Sequence, residues 1–528
     1  MLNFIQEKLA YFIKATEGEW LWAIFKVIGI GGIGYLAKFI SDYFGRTKKY
    51  TERNSATGKM LNDIERSKYL NFYGISNISL EKYLDDVFVE TKNKLASFHL
   101  SNSKLPWQDI EVCFASDDIG IMWEGNNYTK NIVNVVLNLS ILISEHKNII
   151  SDKLENVRFA QSSLPVSFGG SMFLQSRRFK FYFKKELQII YMVAQIKNLH
   201  SDTKKSMTLR LTDSLALSKN SFSYYKEQYN LITQNSKTIF SLNMDSKNYW
   251  NWPESIDKWT EFEKNYSVYK NIMTDFIEFS QIKDEQTILE LGSGTGFLSI
   301  PIAKKNPNGK LVLLDSSPLM IKKAQDIFRN ERISNTSFIV ADVKMEEMLY
   351  GEYKKCLFDT IYTHFSFHHF LDERNTIFNF ARKVKRYLKV GGTFSFFLHN
   401  RQINTTNLQA NNLTEDPIRK LLIQIGRDRN IPLIINETHS ILQRDKIITE
   451  FKDAGFELLN IEEKTYQRTI NDRIAMWKTP SIMGSLLQIN RINYQSVANE
   501  FDALSSNFEN AICQPTSILL FRFQCANE

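Results

Sequence analysis

The 528-residue chain predicts an α/β protein whose C-terminal half is a doubly wound, seven-stranded sheet. From about residue 250, apolar strand-like runs alternate with amphipathic helical ones. A glycine-rich turn directly follows the first of those strands, and acidic residues close the next two. Alternation at this spacing means parallel strands with helices on both faces. Ahead of this half lie a middle α+β or α/β region, 55–235, and an N-terminal hydrophobic helical segment, 1–50. That division suits the length, which calls for two or three domains.

The elements of 245–528 follow in order. TILELGSGTGF (287–297) is a short apolar strand carrying Glu290, then a turn of Gly292, Ser293, Gly294, Thr295 and Gly296. Glycines belong where a strand turns sharply into a helix and a ligand nears the backbone. The spacing is G-x-G-x-G, with Phe297 one residue beyond, not the G-x-G-x-x-G of a pyrophosphate-binding turn. This turn suits a nucleoside ligand without a pyrophosphate and points to S-adenosyl-L-methionine (SAM). KLVLLD is the second strand, ending in Asp315, nineteen residues past Gly296 and placed to hold ribose hydroxyls. A helix with Leu319 and Met320 on its inner side follows. TSFIVA (336–341) is the third strand, closed by Asp342. FDTIYTH (358–364) is the fourth and TFSFFLH (393–399) the fifth. Asp315 and Asp342 could each instead cap a helix.

Residues 250–528 resemble the class I SAM-dependent methyltransferases, which have a Rossmann-like seven-stranded sheet ending in a hairpin-like pair; 454–466 looks like the sixth strand of that sheet and 517–525 like the seventh. The resemblance implies that the loop from Glu290 through Gly296 approaches the methionine part of SAM. It implies that Asp315, with Ser316 and Met320 beside it, holds the ribose, that Asp342 and Val343 lie by the adenine, and that His364 lies at the cofactor. After strand four the chain reads HFSFHHFLD (364–372), without the Asn-Pro-Pro-Tyr type motif of amide and base N-methylating families. The pattern looks most like the small-molecule branch, which implies a small-molecule O, N or C acceptor methylated by direct displacement. The alternative is a non-catalytic, membrane-associated regulator that uses the SAM domain as a sensor.

Four of the eight histidines, His364, His368, His369 and His399, fall within 36 residues. A neutral imidazole can take a proton from a hydroxyl or amine, which makes His368 and His369 catalytic candidates. The competing reading has one of them packing inward and the other only orienting backbone. The histidine spacing suggests no metal site. Four cysteines at 113, 356, 513 and 525 form no metal or disulfide pattern, as expected of a cytoplasmic protein. Residues 1–250 carry 32 basic and 24 acidic side chains, whereas 251–528 carry 34 of each. A neutral catalytic half lacks the basic footprint that nucleic acid requires, so none is expected as a partner.

In the middle region the pattern reads as a strand at 69–77, a helix at 79–98, a strand pair at 110–123 and a helix at 128–148. Strands follow at 157–168 and 177–183, then a helix at 186–198, a strand at 206–212 and a polar linker at 233–257. The order faintly resembles the class III nucleotide-cyclase homology domain, with SDDIGIMW (116–123) at its Gly-Asp strand pair. The metal-binding Asp and that Gly are both missing, so the resemblance implies a non-catalytic sensor or a homodimerisation module.

Residues 20–40, WLWAIFKVIGIGGIGYLAKFI, are long enough to span a bilayer. They are flanked by aromatic residues and followed by Arg46, Lys48, Lys49 and Arg53, which would keep the downstream chain cytoplasmic. Two readings stand: attachment to the inner face of a membrane, or a buried or oligomerising helix. Fractionation separates them. An anchor predicts that the full chain pellets with membranes while a chain beginning at Thr51 stays soluble; full-length protein soluble without detergent selects the buried helix.

Overall fold

The computed structural model describes residues 48–50, 60–74, 77, 80–98, 104–124, 126–163, 169–178, 184–197, 204–212, 226–227, 230–245, 248–399, 417–434, 442–508 and 515–526. The hydrophobic stretch 20–40 lies outside the described residues. Among those described, no helix is long and apolar enough to cross a membrane.

The N-terminal part of the described chain builds an eight-stranded sheet. Its strands are β1 (Lys48–Tyr50), β2 (Ser67–Gly74), β3 (Asp109–Phe114), β4 (Asn156–Ser162), β5 (Gly169–Arg178), β6 (Lys184–Lys197), β7 (Lys204–Thr212) and β8 (Ser236–Asn243), in the order β1-β7-β6-β5-β2-β3-β4-β8. β2, β3 and β4 are mutually parallel, whereas β5, β6 and β7 form an antiparallel meander. The crossovers run through α1 (Leu80–Phe98) and through α2 (Asp117–Glu124) with α3 (Asn127–Glu145).

Three middle-region expectations fail. Residues 117–124 are helix α2 and not the second strand of a pair; Asp117 and Asp118 in its first turn suit the positive end of a helix. Residues 184–197 are strand β6 and not a helix: Ile189, Ile190, Val193 and Ile196 favour a strand once neighbours pair on both edges. Residues 236–243, expected within a linker, are β8, paired with β4. The cyclase likeness goes with them. SDDIGIMW, its proposed strand pair, is helical, and the homodimer that rested on that likeness loses its ground.

The C-terminal part builds the expected seven-stranded sheet. β9 (Thr287–Leu291), β10 (Lys310–Asp315), β11 (Thr336–Val340), β12 (Phe358–Thr363), β13 (Leu388–His399), β14 (Phe456–Tyr466) and β15 (Thr516–Cys525) lie in the order β11-β10-β9-β12-β13-β15-β14. Only β15 runs against its neighbours. Side chains alternate between two cores, as the strand period requires: Leu311 and Leu313 join one, Val312 and Leu314 the other. Helices α4 (Pro253–Asn265) and α5 (Ser267–Ser280) precede β9; α6 (Ile300–Lys305), α7 (Pro318–Asn330) and α8 (Ile377–Lys385) connect the parallel strands. After β13 come α9 (Pro417–Asp428) and α10 (Arg444–Asp453), and between β14 and β15 come α11 (Ile470–Trp477) and α12 (Arg491–Ser505). α9, α11 and α12 share one apolar cluster with Trp252, so these helices form a single helical cap.

α3 joins the two sheets. It packs on α1 on one side and on β11, α7 and the turn at Gly351–Tyr353 on the other. One continuous apolar core accordingly holds Val136 and Leu139 of α3 together with Val340 and Tyr350. Gly351 has a left-handed φ of 59°, and a Cβ there would stand 2.5 Å from the Thr129 carbonyl and 2.6 Å from Val133. Gly351→Ala should therefore cost about 1–3 kcal/mol through strain and the clash together. Gly391→Ala, at φ +74 but with its nearest neighbour at 3.7 Å, should cost less. Urea denaturation of the full chain compares the two.

Candidate functional site

In parallel sheets ligands bind outside the carboxyl ends of the strands, where the strand order reverses. Here that point is the crevice between β9 and β12. Gly292, Gly294 and Gly296 all have left-handed backbones, with φ of 69°, 55° and 68°. The amides of Gly292 and Ser293 donate to the Leu314 carbonyl at 2.8 and 2.9 Å. Asp315 finishes the turn: one oxygen accepts from the Gly294 amide and the other from the Ser317 amide, both at 2.8 Å. Burial raises this carboxyl to about 6 against those two donors, so desolvation is the larger effect.

The three glycines differ in what surrounds them. A Cβ at Gly292 would strike Ser366 at 2.7 Å, and one at Gly296 would press Phe328 at 3.0 Å. At Gly294 the nearest atom is Trp259 Nε1 at 3.8 Å. The space above the loop opens there, as a cradle for a ligand against bare backbone would require.

Beneath the loop lies a buried polar cluster. Glu290 accepts from the Tyr362 hydroxyl, and His364 Nε2 sits 2.6 Å from its other oxygen, off the line of a hydrogen bond. Glu263 of α4, 2 % exposed, accepts from Trp259 Nε1 at 2.8 Å and from the Thr295 hydroxyl. Its burial pushes the carboxyl up to about 7, opposed by the Thr295 hydrogen bond and the nearby His364. The buried hydroxyls of Ser293 and Thr363 have no hydrogen-bond partner in the protein.

An aromatic wall stands beyond the loop. Phe365, two residues past the end of β12, holds a left-handed φ of 55°, strain that a bulky residue keeps only where its surroundings impose it. It stacks on Tyr269 at 4.3 Å and meets Phe397 edge-on. Arg468 and Arg473, at the start of the segment following β14, lie near enough to Tyr269 to favour its ionised form, although burial holds that phenol well above its ordinary range. Arg473 is buried and rests over Trp477.

The residues singled out in the sequence gather at this end of the sheet, each in a definite setting. Asp315 is no helix cap, because Ser317 caps α7. Asp342 caps no helix either; it accepts from the Lys344 amide at 2.8 Å in a turn, and Val343 beside it is buried. Ser316 is exposed, whereas Met320 packs with Ile256 and Leu319. Phe367 and Phe370 point into the core, which leaves His368 and His369 on the rim, their rings 3.9 Å apart, with His369 edge-on to Trp250. Neither packs inward. His399 contacts Thr516 at 3.2 Å. Glu263, Tyr362, Phe365, Arg468 and Arg473 also stand at this end of the sheet, and the sequence alone does not single them out. Glu263 carried one signal, an acid one helical turn after Trp259 in α4.

Residues 282–426 match the family described as a methyltransferase domain. A malonyl-[acyl-carrier protein] O-methyltransferase of Ilyobacter polytropus is 30 % identical over 184 residues, covering 34 % of this chain and 64 % of that protein. A second protein of that name, from a Paenibacillus species, is 31 % identical over 112 residues, covering 21 % and 38 %. The chain thus spans less than two thirds of the length of either relative. A solved structure of coclaurine N-methyltransferase bound to N-methylheliamine and S-adenosylhomocysteine is similar at 15 % identity and a TM-score of 0.33, over 48 % of this chain and 72 % of that one. The C-terminal sheet carries a methyltransferase domain of Rossmann-like fold, for which SAM is the methyl donor.

Glu263 and Asp315 both titrate above their ordinary values of 4.5 and 3.8. Each protonated acid is favoured by the fold, so the stability they contribute is full below about pH 4 and lost as pH rises through about 6 to 7. Glu263→Gln should abolish the Glu263 share. Between pH 4.5 and 7 the melting temperature of the unliganded wild type should fall relative to the variant, with no further divergence above; a parallel pair of curves contradicts this.

Proposed function

We propose that this domain holds SAM across the carboxyl ends of β9, β10 and β11 and passes its methyl group to a small, anionic oxygen acceptor. One observation carries the cofactor assignment: three left-handed glycines, fixed by Asp315, leave open space at Gly294 alone. The fit is chemical as well as steric. Each Asp315 oxygen spends one lone pair on a backbone amide and keeps another for a ribose hydroxyl. Glu290, Ser293, Thr295 and His364 would face the methionine end. Ser316 and Met320 would flank the ribose, and Asp342 and Val343 the adenine.

When bound, SAM supplies an electrophilic methyl on a sulfonium. The chain's part is alignment of the acceptor in line with it and exclusion of water. Phe365, Tyr269 and the helical cap would do both. The names of the two relatives support an oxygen acceptor, and Arg468 with Arg473 near Tyr269 supports an anionic one, such as a carboxylate. An ionised carboxylate has no proton to lose. For a hydroxyl or amine acceptor, His368 or His369 would instead take the proton from the rim.

Calorimetry on the full chain should detect SAM binding. Asp315→Ala should weaken it by about 1.5–3 kcal/mol, the range for a hydrogen bond to a charged group, whereas a merely structural Asp315 would lower melting and leave affinity alone. Methyl incorporation into malonyl thioesters or free dicarboxylates should survive His368→Ala/His369→Ala. A loss of about 10²–10⁴ in that double variant selects a hydroxyl or amine acceptor. Binding without any turnover selects a sensor.

A further inference from the structure

Glu263 is a costly residue for its place. It is 2 % exposed, on a helix that precedes the sheet, and its carboxylate oxygens tie Trp259 to Thr295. Gln would suit the Trp259 bond equally, because an amide oxygen accepts from an indole and the amide nitrogen can donate to a hydroxyl oxygen. What Gln would not supply is negative charge, and charge is what burial penalises. Charge at such a position is retained where something positive comes to meet it.

The protein's own groups do not meet it fully. From β9, Glu290 faces Glu263 and adds a second buried carboxylate, itself within electrostatic reach of Asp315 on β10. From β12 comes a single imidazole, His364, shared with Glu290, while Tyr362 donates a neutral hydroxyl. From the loop and from its own helix Glu263 receives neutral donors, Thr295 and Trp259. From α5 the neutral Tyr269 feels Glu263 and also Arg468 and Arg473, whereas the cationic influence on Glu263 itself comes from His364. The cluster holds more acid than base. It also borders the cradle, since Trp259, held by Glu263, is the first atom a Cβ at Gly294 would meet.

We propose that Glu263 is a specificity-determining residue of the cofactor site: with Glu290 it makes the cradle prefer the cationic sulfonium donor over the neutral thioether product, S-adenosylhomocysteine (SAH). This rests on the SAM reading above. Both ligands carry the same ammonium, carboxylate and nucleoside; the sulfonium charge is the difference between them. A cation arriving beside Glu263 favours its ionised form, so donor binding should release a proton near neutrality and product binding less. The retained charge thereby counters product inhibition.

The test is calorimetric titration of the full chain with SAM and with SAH from pH 6 to 8, in two buffers of different ionisation enthalpy, for wild type and Glu263→Gln. In wild type, SAM affinity should rise with pH, by roughly tenfold for each unit that the ligand displaces the Glu263 titration, and SAM should release more protons than SAH. Glu263→Gln should weaken SAM by roughly tenfold or more and SAH little, and remove both the pH dependence and the excess proton release. A variant that binds both with the wild-type ratio and pH dependence overturns the proposal. Glu263→Ala, which also loses the Trp259 hydrogen bond, serves as the packing control: it should shift Trp fluorescence, and an equal loss for both ligands in the Ala and Gln variants alike would make Glu263 structural only. Wild-type protein that binds neither ligand overturns the SAM reading itself, a result distinct from either outcome above.

Discussion

The site depends on one half-buried carboxylate that fastens two turns together. Asp315 accepts the Gly294 amide with one oxygen and the Ser317 amide with the other. The first bond fixes a loop whose three glycines hold left-handed backbones; the second fixes the start of α7. A carboxylate reaches both because its two oxygens diverge and accept without donating; an amide at that position would present a donor to one of the two amides. The desolvation that raises Asp315 to about 6 is the cost of placing that acceptor between strands.

How much of this was legible depended on whether the determinant was local. The C-terminal sheet could be read strand by strand because each parallel strand is a short apolar run closed by a turn residue, and G-x-G-x-G marks a backbone need as well as a chemical one. Asp315 and Asp342 were visible at strand ends, but their partners were not. Both were open to a helix-cap reading, and only the geometry gives that role to Ser317 in α7 and gives Asp342 a turn. Glu263 escaped because its role comes from Thr295, 32 residues away, a contact no periodicity encodes. The strain at Phe365 escaped for the same reason, since it is imposed by Tyr269 and Phe397 from two other elements.

The middle region misled where tertiary pairing overrode local pattern. Lys184–Lys197 has enough Leu, Met, Ala and Gln to read as helix, yet Lys184–Val193 pairs with β5 and Ile189–Lys197 with β7, so every residue has a partner strand. Ser236–Asn243 opens on three consecutive polar residues and read as linker, but its later Ile239, Phe240 and Leu242 are buried and the segment pairs with β4. Among the segments read correctly, α1 and α3 are long and carry the helical period over several turns.

α3 gives the arrangement its wider consequence. An edge strand such as β11 has one side without a partner strand and is held less firmly than a central one. Here its helix-bearing face is covered by α3, while Gly351 lies against the Thr129 carbonyl and the Tyr350 hydroxyl donates to the Val340 carbonyl at 2.6 Å. Lys322 of α7 pairs with Glu145 at the end of α3, and Lys237 reaches Glu347 at 3.3 Å from β8. The exposed ion pairs add little, because solvent screens them; the apolar contact carries the docking. β11 leads directly into Asp342 and Val343, so the strand that presents the proposed adenine contacts is positioned by both sheets. The middle region is thereby part of the scaffold of the site and not an appendage to it: its core and the core beneath β11 are one.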